Sequence, residues 1–233
     1  MDELGLRQRV LAANLAIVEA GLVTLTFGNA SGVDRSAGVM AIKPSGVPYG
    51  ELDPDAIVVL DLASGEPTGE GLKPSSDAPT HLVLYRRFEG IGGIVHTHST
   101  FATAWAQAGR DLPCYGTTHA DHFHGPVPVT RAMTAEEVGQ AYEANTGEVI
   151  VETFESRRSD PLEVPAVLVR SHGPFAWGAD VEGAVENAVA LEAVARLART
   201  TAALEPDLPE IEPALLQRHF RRKHGPGAYY GQR

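Results

Sequence analysis

The sequence predicts an α/β fold in three layers, α/β/α, with a central mixed, mostly antiparallel sheet flanked by helices. Helical periodicity opens the chain and closes it, and strand-like runs fill the middle. Those runs are mostly joined by short turns, and only two strand–helix–strand pieces occur, too few for a doubly wound parallel sheet. No G-x-G-x-x-G follows a strand and no Walker loop is present, so a nucleotide cofactor has no support.

From Glu3 to Ala20, Leu6, Val10, Leu11, Leu15 and Val18 recur at three- and four-residue intervals, and Gly21 stops the helix. Leu22 to Phe27 alternates Val and Leu with Thr, and Gly38 to Ile42 is apolar. Each reads as a strand ending in a turn of small polar residues, Gly28–Gly32 and Lys43–Gly46. Ala56 to Leu62 is a β-branched third strand, closed by Ser64-Gly65-Glu66-Pro67. Lys73 to Pro79 carries helix-start signals, with Ser76 or Asp77 as N-cap and Pro79 in the first turn, ahead of His81, Leu82, Leu84, Tyr85 and Phe88.

The apolar run from Gly92 leads to His96 and His98 and reads as a buried strand, followed by a helix around Thr100 to Ala108. Leu112 to Gly125 reads as an irregular loop and Val127 to Thr130 as a short edge strand. Thr134 with Glu137 forms a capping box for a helix through Ala144. Glu148 to Phe154 fits a strand by its β-branched residues, or a helix continuing past Gly147. Ala166 to Val169 is a strand leading to His172, and Val181 to Leu204 and Leu208 to His224 are helices.

The 233 residues are 43% hydrophobic, enough for one full core, so a single domain over 1–233 is expected. A net charge of −11 argues against a nucleic-acid partner and requires any anionic ligand to be met by local donors. With Cys114 as the sole cysteine, neither an intrachain disulfide nor a cysteine zinc site can form, and a reducing, cytoplasmic setting fits. Neither a signal peptide nor an apolar run of about 18 residues is seen, so no membrane association is expected.

Residues two apart on a strand share a face, so His96 and His98 can converge on one ion. His172, at the end of another apolar run, is a third candidate. Three neutral imidazoles bind zinc or a similar divalent ion and leave a position for water or substrate, the arrangement of a catalytic site. Asp77 is either a plain N-cap or a metal ligand, direct or by way of a histidine. Gly28-Asn29, Lys43 through Gly46 and Ser75-Ser76 are either ordinary turns or parts of an anion site, with Lys43 the formal positive charge. The segment Thr117 to His124 is dense in His and Asp. It is either a solvated cluster or the holder of an acid/base group or a second metal. Tyr229 and Tyr230, in the tail that follows His224, either lie in a disordered end or dock on something.

Taken together, T-L-T-F-G-N-A-S (Thr24 to Ser31), I-K-P-S-G (Ile42 to Gly46), K-P-S-S-D-A-P-T-H (Lys73 to His81), G-G-I-V-H-T-H-S (Gly92 to Ser99), G-T-T-H-A-D (Gly116 to Asp121), V-R-S-H-G-P-F-A-W-G (Val169 to Gly178) and A-Y-Y-G-Q (Ala228 to Gln232) resemble the class II aldolase family over almost the whole chain. Within that family the likeness is to its pentulose-phosphate epimerase branch. The resemblance implies one zinc ion per subunit on His96, His98 and His172 with Asp77 at or beside it. It also implies phosphate and substrate contacts from Asn29, Lys43, Ser45, Gly46, Ser75 and Ser76. Asp121 and Tyr230 match an acid/base pair that reaches the site from a neighbouring subunit, so a homotetramer is implied, with the tail 225–233 completing an active site between subunits. Thr117, Glu143, His219 and Arg222 match positions around that interface.

The implied reaction interconverts L-ribulose 5-phosphate and D-xylulose 5-phosphate. The C3–C4 bond breaks in a retro-aldol step, the aldehyde rotates, and re-addition inverts C4. Where the family's aldolases carry a glutamate near the metal, this chain has the shorter Asp77, which favours re-addition over release. The alternatives are an aldolase acting on a related sugar phosphate such as L-fuculose 1-phosphate, and a non-catalytic, metal-bound oligomer that only binds sugar phosphate. His122 and His124 stand where aromatic tyrosines are commoner, and Ser156 to Pro165 is atypical.

Overall fold

In the computed structural model, residues 2–225 and 227–230 are described. Helix α1, Glu3–Glu19, begins where the Asp2 carboxylate accepts the Gly5 N–H at 2.9 Å, and it buries Leu6, Val10, Ala13 and Ile17. Its buried Asn14 exchanges two hydrogen bonds with the backbone of Ala30, which seats α1 on strand β1, Gly28–Asp34. Strands β2, Val39–Ile42, and β3, Val58–Asp61, follow. Helix α2, Ala78–Arg87, leads into β4, Gly93–Thr97, and α3, Thr100–Ala108. Two short helices, α4 (Thr117–Ala120) and α5 (Ala135–Gly139), precede α6, Tyr142–Arg157. Strands β5, Ala166–Leu168, and β6, Pro174–Gly178, complete the sheet, and helices α7, Val181–Leu204, and α8, Pro213–Lys223, complete the chain.

The six strands lie in the order β3-β2-β1-β4-β6-β5 with every neighbouring pair antiparallel. The only parallel contact among the described residues is an isolated bridge between Val129 and Leu168. Helices α1, α3 and α7 cover one face, and α2 and α6, packed on each other, cover the other. The predicted three layers are therefore observed. No helix of the described residues is long and apolar enough to cross a membrane.

Glycines decide how closely α7 approaches. Gly32, Gly93 and Gly178 are paired across three adjacent strands. A Cβ on Gly93 would lie 2.4 Å from the Val181 Cα, and one on Gly178 would lie 2.5 Å from the Ala184 N. On the opposite face Ser31 meets two α2 side chains, its hydroxyl 2.7 Å from His81 Nδ1 and 2.8 Å from Tyr85 Oη. Phe88, Phe154 and Trp177 pack edge-on or tilted at 5.4–5.5 Å between α2, α6 and the sheet.

Several local expectations are corrected. Gly28–Gly32 is the heart of a central strand, not a turn, because its small residues serve helix approach rather than chain reversal. The predicted strand Leu22 to Phe27 instead holds a tight turn in which the Phe27 N–H bonds to the Thr24 carbonyl, with Leu25 at φ 55°. The Thr134–Glu137 capping box forms, but its helix ends at Gly139. A residue in the left-handed region, Ala141, separates it from α6. For residues 148–154, left open between strand and helix, the helix is the one formed, with Val149, Ile150, Val151 and Phe154 buried. Val127 to Thr130 makes only isolated bridges, α4 interrupts the expected loop, and β6 had no counterpart in the sequence reading.

Candidate active site

The sheet register places Asn29, His96 and Phe175 side by side across β1, β4 and β6. Paired residues of antiparallel strands share a face. For these three it is the face under α2, as the bond from Asn29 to Asp77 shows. His98 lies just beyond β4. The two amides that open the helix after it, on Phe101 and Ala102, donate to the Glu192 carboxylate of α7, which fixes the chain where it leaves the sheet. His172 comes from the turn between β5 and β6, where Ser171 has φ 62° and Gly173 packs so closely that a Cβ would lie 2.8 Å from the Thr97 carbonyl oxygen. One nitrogen from each of His96, His98 and His172 falls within 4.8 Å of the others.

The imidazoles are held for ligation. His96 Nδ1 donates to the Pro174 carbonyl at 2.9 Å and its ring stacks on Phe175 at 4.1 Å, which leaves Nε2 for another partner. His98 stacks against Phe27 at 6.1 Å. Burial lowers the pKa of all three, that of His96 to about 3, although Asp77 opposes the shift. They are neutral near pH 7 with lone pairs available, as a divalent ion requires.

Asp77 precedes α2 but makes no capping bond. Its carboxylate accepts the Asn29 amide at 2.8 Å instead. Burial works against the charged form, yet the facing His96 and His81 and the Asn29 bond outweigh it and hold the carboxyl below the ordinary range. It stands outside the group of three converging nitrogens, close enough to add charge to the site. Three neutral nitrogens with an adjacent carboxylate fit a zinc-like ion with an open coordination position.

The loops 43–46 and 73–76 are zipped together by Ser45 N to Lys73 O at 3.0 Å and Ser75 N to Lys43 O at 2.9 Å. Asn29, Lys43, Ser45, Gly46, Ser75 and Ser76 consequently line one cleft of about 420 Å³ with Asp77 and the three histidines. Lys43, expected from sequence to supply the formal positive charge, lines the cleft with its ammonium partly engaged. It is 2% exposed, burial lowers its pKa, and Nζ donates to the carbonyls of Val47 at 2.7 Å and Pro44 at 3.2 Å, so a single N–H remains for a ligand.

Asp121 and Tyr230 do not line this cleft. Arg222 grips both Asp121 oxygens at 2.9 and 2.6 Å, and His219 Nδ1 lies 3.0 Å from one of them. Burial raises the Asp121 pKa, but those bonds prevail and hold it low. Tyr230 lies over the Arg222 guanidinium at 4.5 Å. Asp121, Tyr230, His219 and Arg222 thus form one cluster apart from the histidine triad. Thr117 begins α4 beside them, whereas Glu143 lines the triad's cleft. His122 is paired with Lys223, and His124 with Glu163. Pro226 and Gly231 to Arg233, part of the expected tail, lie outside the described residues.

Sequence reasoning assigned no role to Thr26, Phe27 or Tyr142, which also line the cleft, the last with its phenol oxygen 3.3 Å from His172 Nδ1. Thr26 and Phe27 fall within the family-like stretch Thr24 to Ser31 but carry no chemistry that singles them out, and no motif marks Tyr142. Their positions follow from backbone turns at Leu25 and Ala141 that composition does not announce.

The buried His119 gives this region a pH dependence. Burial lowers its pKa to about 4, only partly offset by its bond to the Gly125 carbonyl. The unfolded chain takes up that proton near pH 6.5, so the folded state keeps His119's contribution above pH 6.5 and loses it as pH falls toward 4. Between pH 7.5 and 5 this one residue is expected to cost about 2 kcal/mol. Urea unfolding of wild type and His119→Gln at both values checks it, and equal pH slopes would count against it.

Residues 8–199 match the family described as class II aldolase and adducin N-terminal domain. Among solved structures, an L-fuculose 1-phosphate aldolase superposes with a TM-score of 0.78 at 24% identity, covering 94% of this chain and 95% of its own. YgbL of Klebsiella pneumoniae, a candidate aldolase, epimerase or decarboxylase, superposes with a TM-score of 0.71 at 24% identity, over 94% and 99% of the two chains. An L-fuculose-1-phosphate aldolase of Thermus thermophilus gives 0.66 at 23% identity, over 88% and 98%. At these identities the likeness to the solved structures is one of fold.

Proposed function

The chain belongs to the class II aldolase and adducin N-terminal domain family, and from that premise we propose that it is a zinc-dependent epimerase interconverting L-ribulose 5-phosphate and D-xylulose 5-phosphate. The observation that carries the proposal is the convergence of three neutral imidazoles, an ionised Asp77 and the small-residue loops on one cleft. His96, His98 and His172 would hold a zinc ion, and such an ion would supply Lewis acidity toward the oxygens of a bound sugar phosphate.

The chain's own groups do the rest. Ser45, Gly46, Ser75 and Ser76, with the remaining N–H of Lys43, bind the phosphate through hydroxyl and amide donors. Asn29 ties Ser75 to Asp77, at 3.1 and 2.8 Å, and so sets the phosphate end of the cleft against its metal end. Asp121 and Tyr230 exchange the C4 hydroxyl proton from opposite faces. Neither lines its own cleft, so in this proposal they serve the cleft of an adjacent copy in a homotetramer. The short Asp77 carboxylate reaches the carbon skeleton less readily than a glutamate, which favours re-addition over release of a three-carbon or two-carbon product.

A coupled assay on L-ribulose 5-phosphate, with and without chelator, tests this. Epimerisation lost to the chelator and restored by zinc is expected, and no epimerisation in metal-replete protein overturns it. Asp121→Asn and Tyr230→Phe are each expected to slow turnover by about 10²–10⁴-fold with zinc content unchanged. Unaltered turnover in both would remove their acid/base role. A second reading, an aldolase acting on a related sugar phosphate, is favoured by the fold shared with the fuculose-phosphate aldolases. Accumulation of free dihydroxyacetone phosphate or dihydroxyacetone would select it.

A further inference from the structure

Among the described residues, four non-glycine positions have positive φ, and three of them adjoin the cleft. Leu25 precedes Thr26 and Phe27, Ala141 precedes Tyr142, and Ser171 precedes His172. Backbone held in this region persists only where its surroundings over-determine it, and such positions gather at functional sites. The Ala141 break is held from several sides. The Asn145 amide donates to the carbonyls of Glu137 and Gln140, Thr146 Oγ1 donates to the Tyr142 carbonyl at 2.9 Å, and Thr80 of α2 donates to the Glu143 carbonyl. The result is that the Tyr142 side chain, half-buried, stands against His172, with the two rings 6.2 Å apart and tilted by 32°.

We propose that Tyr142 is a positioning residue for the metal centre: its phenol oxygen accepts the Nδ1–H of His172 and so presents the Nε2 of that imidazole to a divalent ion. The inference rests on the reading of the histidine triad as a metal site. An imidazole ligating through one ring nitrogen carries its proton on the other, and an acceptor on that proton fixes tautomer and ring orientation together. His96 is treated in this way by the Pro174 carbonyl at 2.9 Å, and the Tyr142 oxygen, 3.3 Å from His172 Nδ1, is the corresponding acceptor for a histidine that lies outside any strand. The two imidazoles are oriented by different means because their surroundings differ. His96 faces the backbone of the neighbouring strand, whereas His172 projects from a turn and needs a side chain from another element. With the phenol oxygen accepting from His172, its own hydrogen remains available to the cleft.

The test compares zinc affinity, by competition with a chromophoric chelator, and the visible spectrum of the cobalt(II) form in wild type, Tyr142→Phe and His172→Ala. Tyr142→Phe keeps the ring and its packing. Zinc affinity is expected to fall by about 10–100-fold and the cobalt bands to shift, with the thermal midpoint of the metal-free protein unchanged. Wild-type affinity and spectrum in Tyr142→Phe would overturn the proposal while leaving the metal site intact. A wild type that binds neither ion would overturn the metal reading and this inference with it. Should Tyr142→Phe fold poorly, the ¹⁵N spectrum of zinc-loaded wild type, assigned with His172→Ala, decides independently. His172 protonated at Nδ1 supports the proposal, and His172 unprotonated there overturns it.

Discussion

Replacing His98 by alanine is expected to lower turnover by at least about 10³-fold while leaving the fold in place. The ring is only partly buried and meets the rings of His96, His172 and Phe27 at 5.0, 5.1 and 6.1 Å, so its loss removes no side chain of the hydrophobic core. It does remove one of three converging nitrogens. Lewis-acid stabilisation by a bound ion is worth several kcal/mol, and each 1.36 kcal/mol is a factor of ten in rate, so about three decades is the least that should be lost. Zinc content measured beside turnover separates causes. Folded, metal-poor and inactive protein is the expected result, and full zinc content with wild-type turnover would remove His98 from the site.

The second large effect concerns stability. Gly93→Ala introduces a Cβ 2.4 Å from the Val181 Cα and 2.5 Å from the Asp180 carbonyl oxygen. Both are backbone atoms at the start of α7, so no rotamer change relieves the overlap. Relief requires α7 to move off three strands at once, since Gly32 and Gly178 flank Gly93 in the same row. Overpacking costs about 1–3 kcal/mol, and this site belongs at the upper end. At about 3 kcal/mol the thermal midpoint of a chain this size falls by about 6–12 °C. Gly50→Ala, where a Cβ meets nothing within 4 Å, is the control. Equal midpoints for the two variants would contradict the close-packing account.

What was legible in the sequence was whatever depends on local pattern. The long helix from Val181 to Leu204 was read to its ends because nothing in it opposes helical periodicity, and the Thr134–Glu137 box was read because capping is a three-residue affair. His96 and His98 were legible because alternate residues of an extended chain share a face, although β4 itself ends at Thr97. Illegible were features set by distant partners. The small residues of Gly28–Gly32 look like a turn until Val181 and Val10 are seen to press on Gly32. Val149 to Val151 fit a strand as well as a helix until they are seen buried where α6 packs on α2. Lys43 looked like a charge offered to a ligand, but the chain folds its ammonium onto the carbonyls of Pro44 and Val47. Tyr142 had no sequence signal, since it reaches His172 through a backbone reversal at Ala141.

The row of Gly32, Gly93 and Gly178 also bears on how such a molecule can change over generations of mutation. Side chains cannot be added along that row without displacing α7, so the sheet face beneath α7 is closed to innovation. The opposite face carries Asn29 and His96 beneath α2, and its close contacts are fewer and lie at Gly147, between α6 and α2, and at Gly28 and Gly173 beside the cleft. The row therefore fixes the floor on which α7 rests, while the cleft is built on the other side of the same sheet.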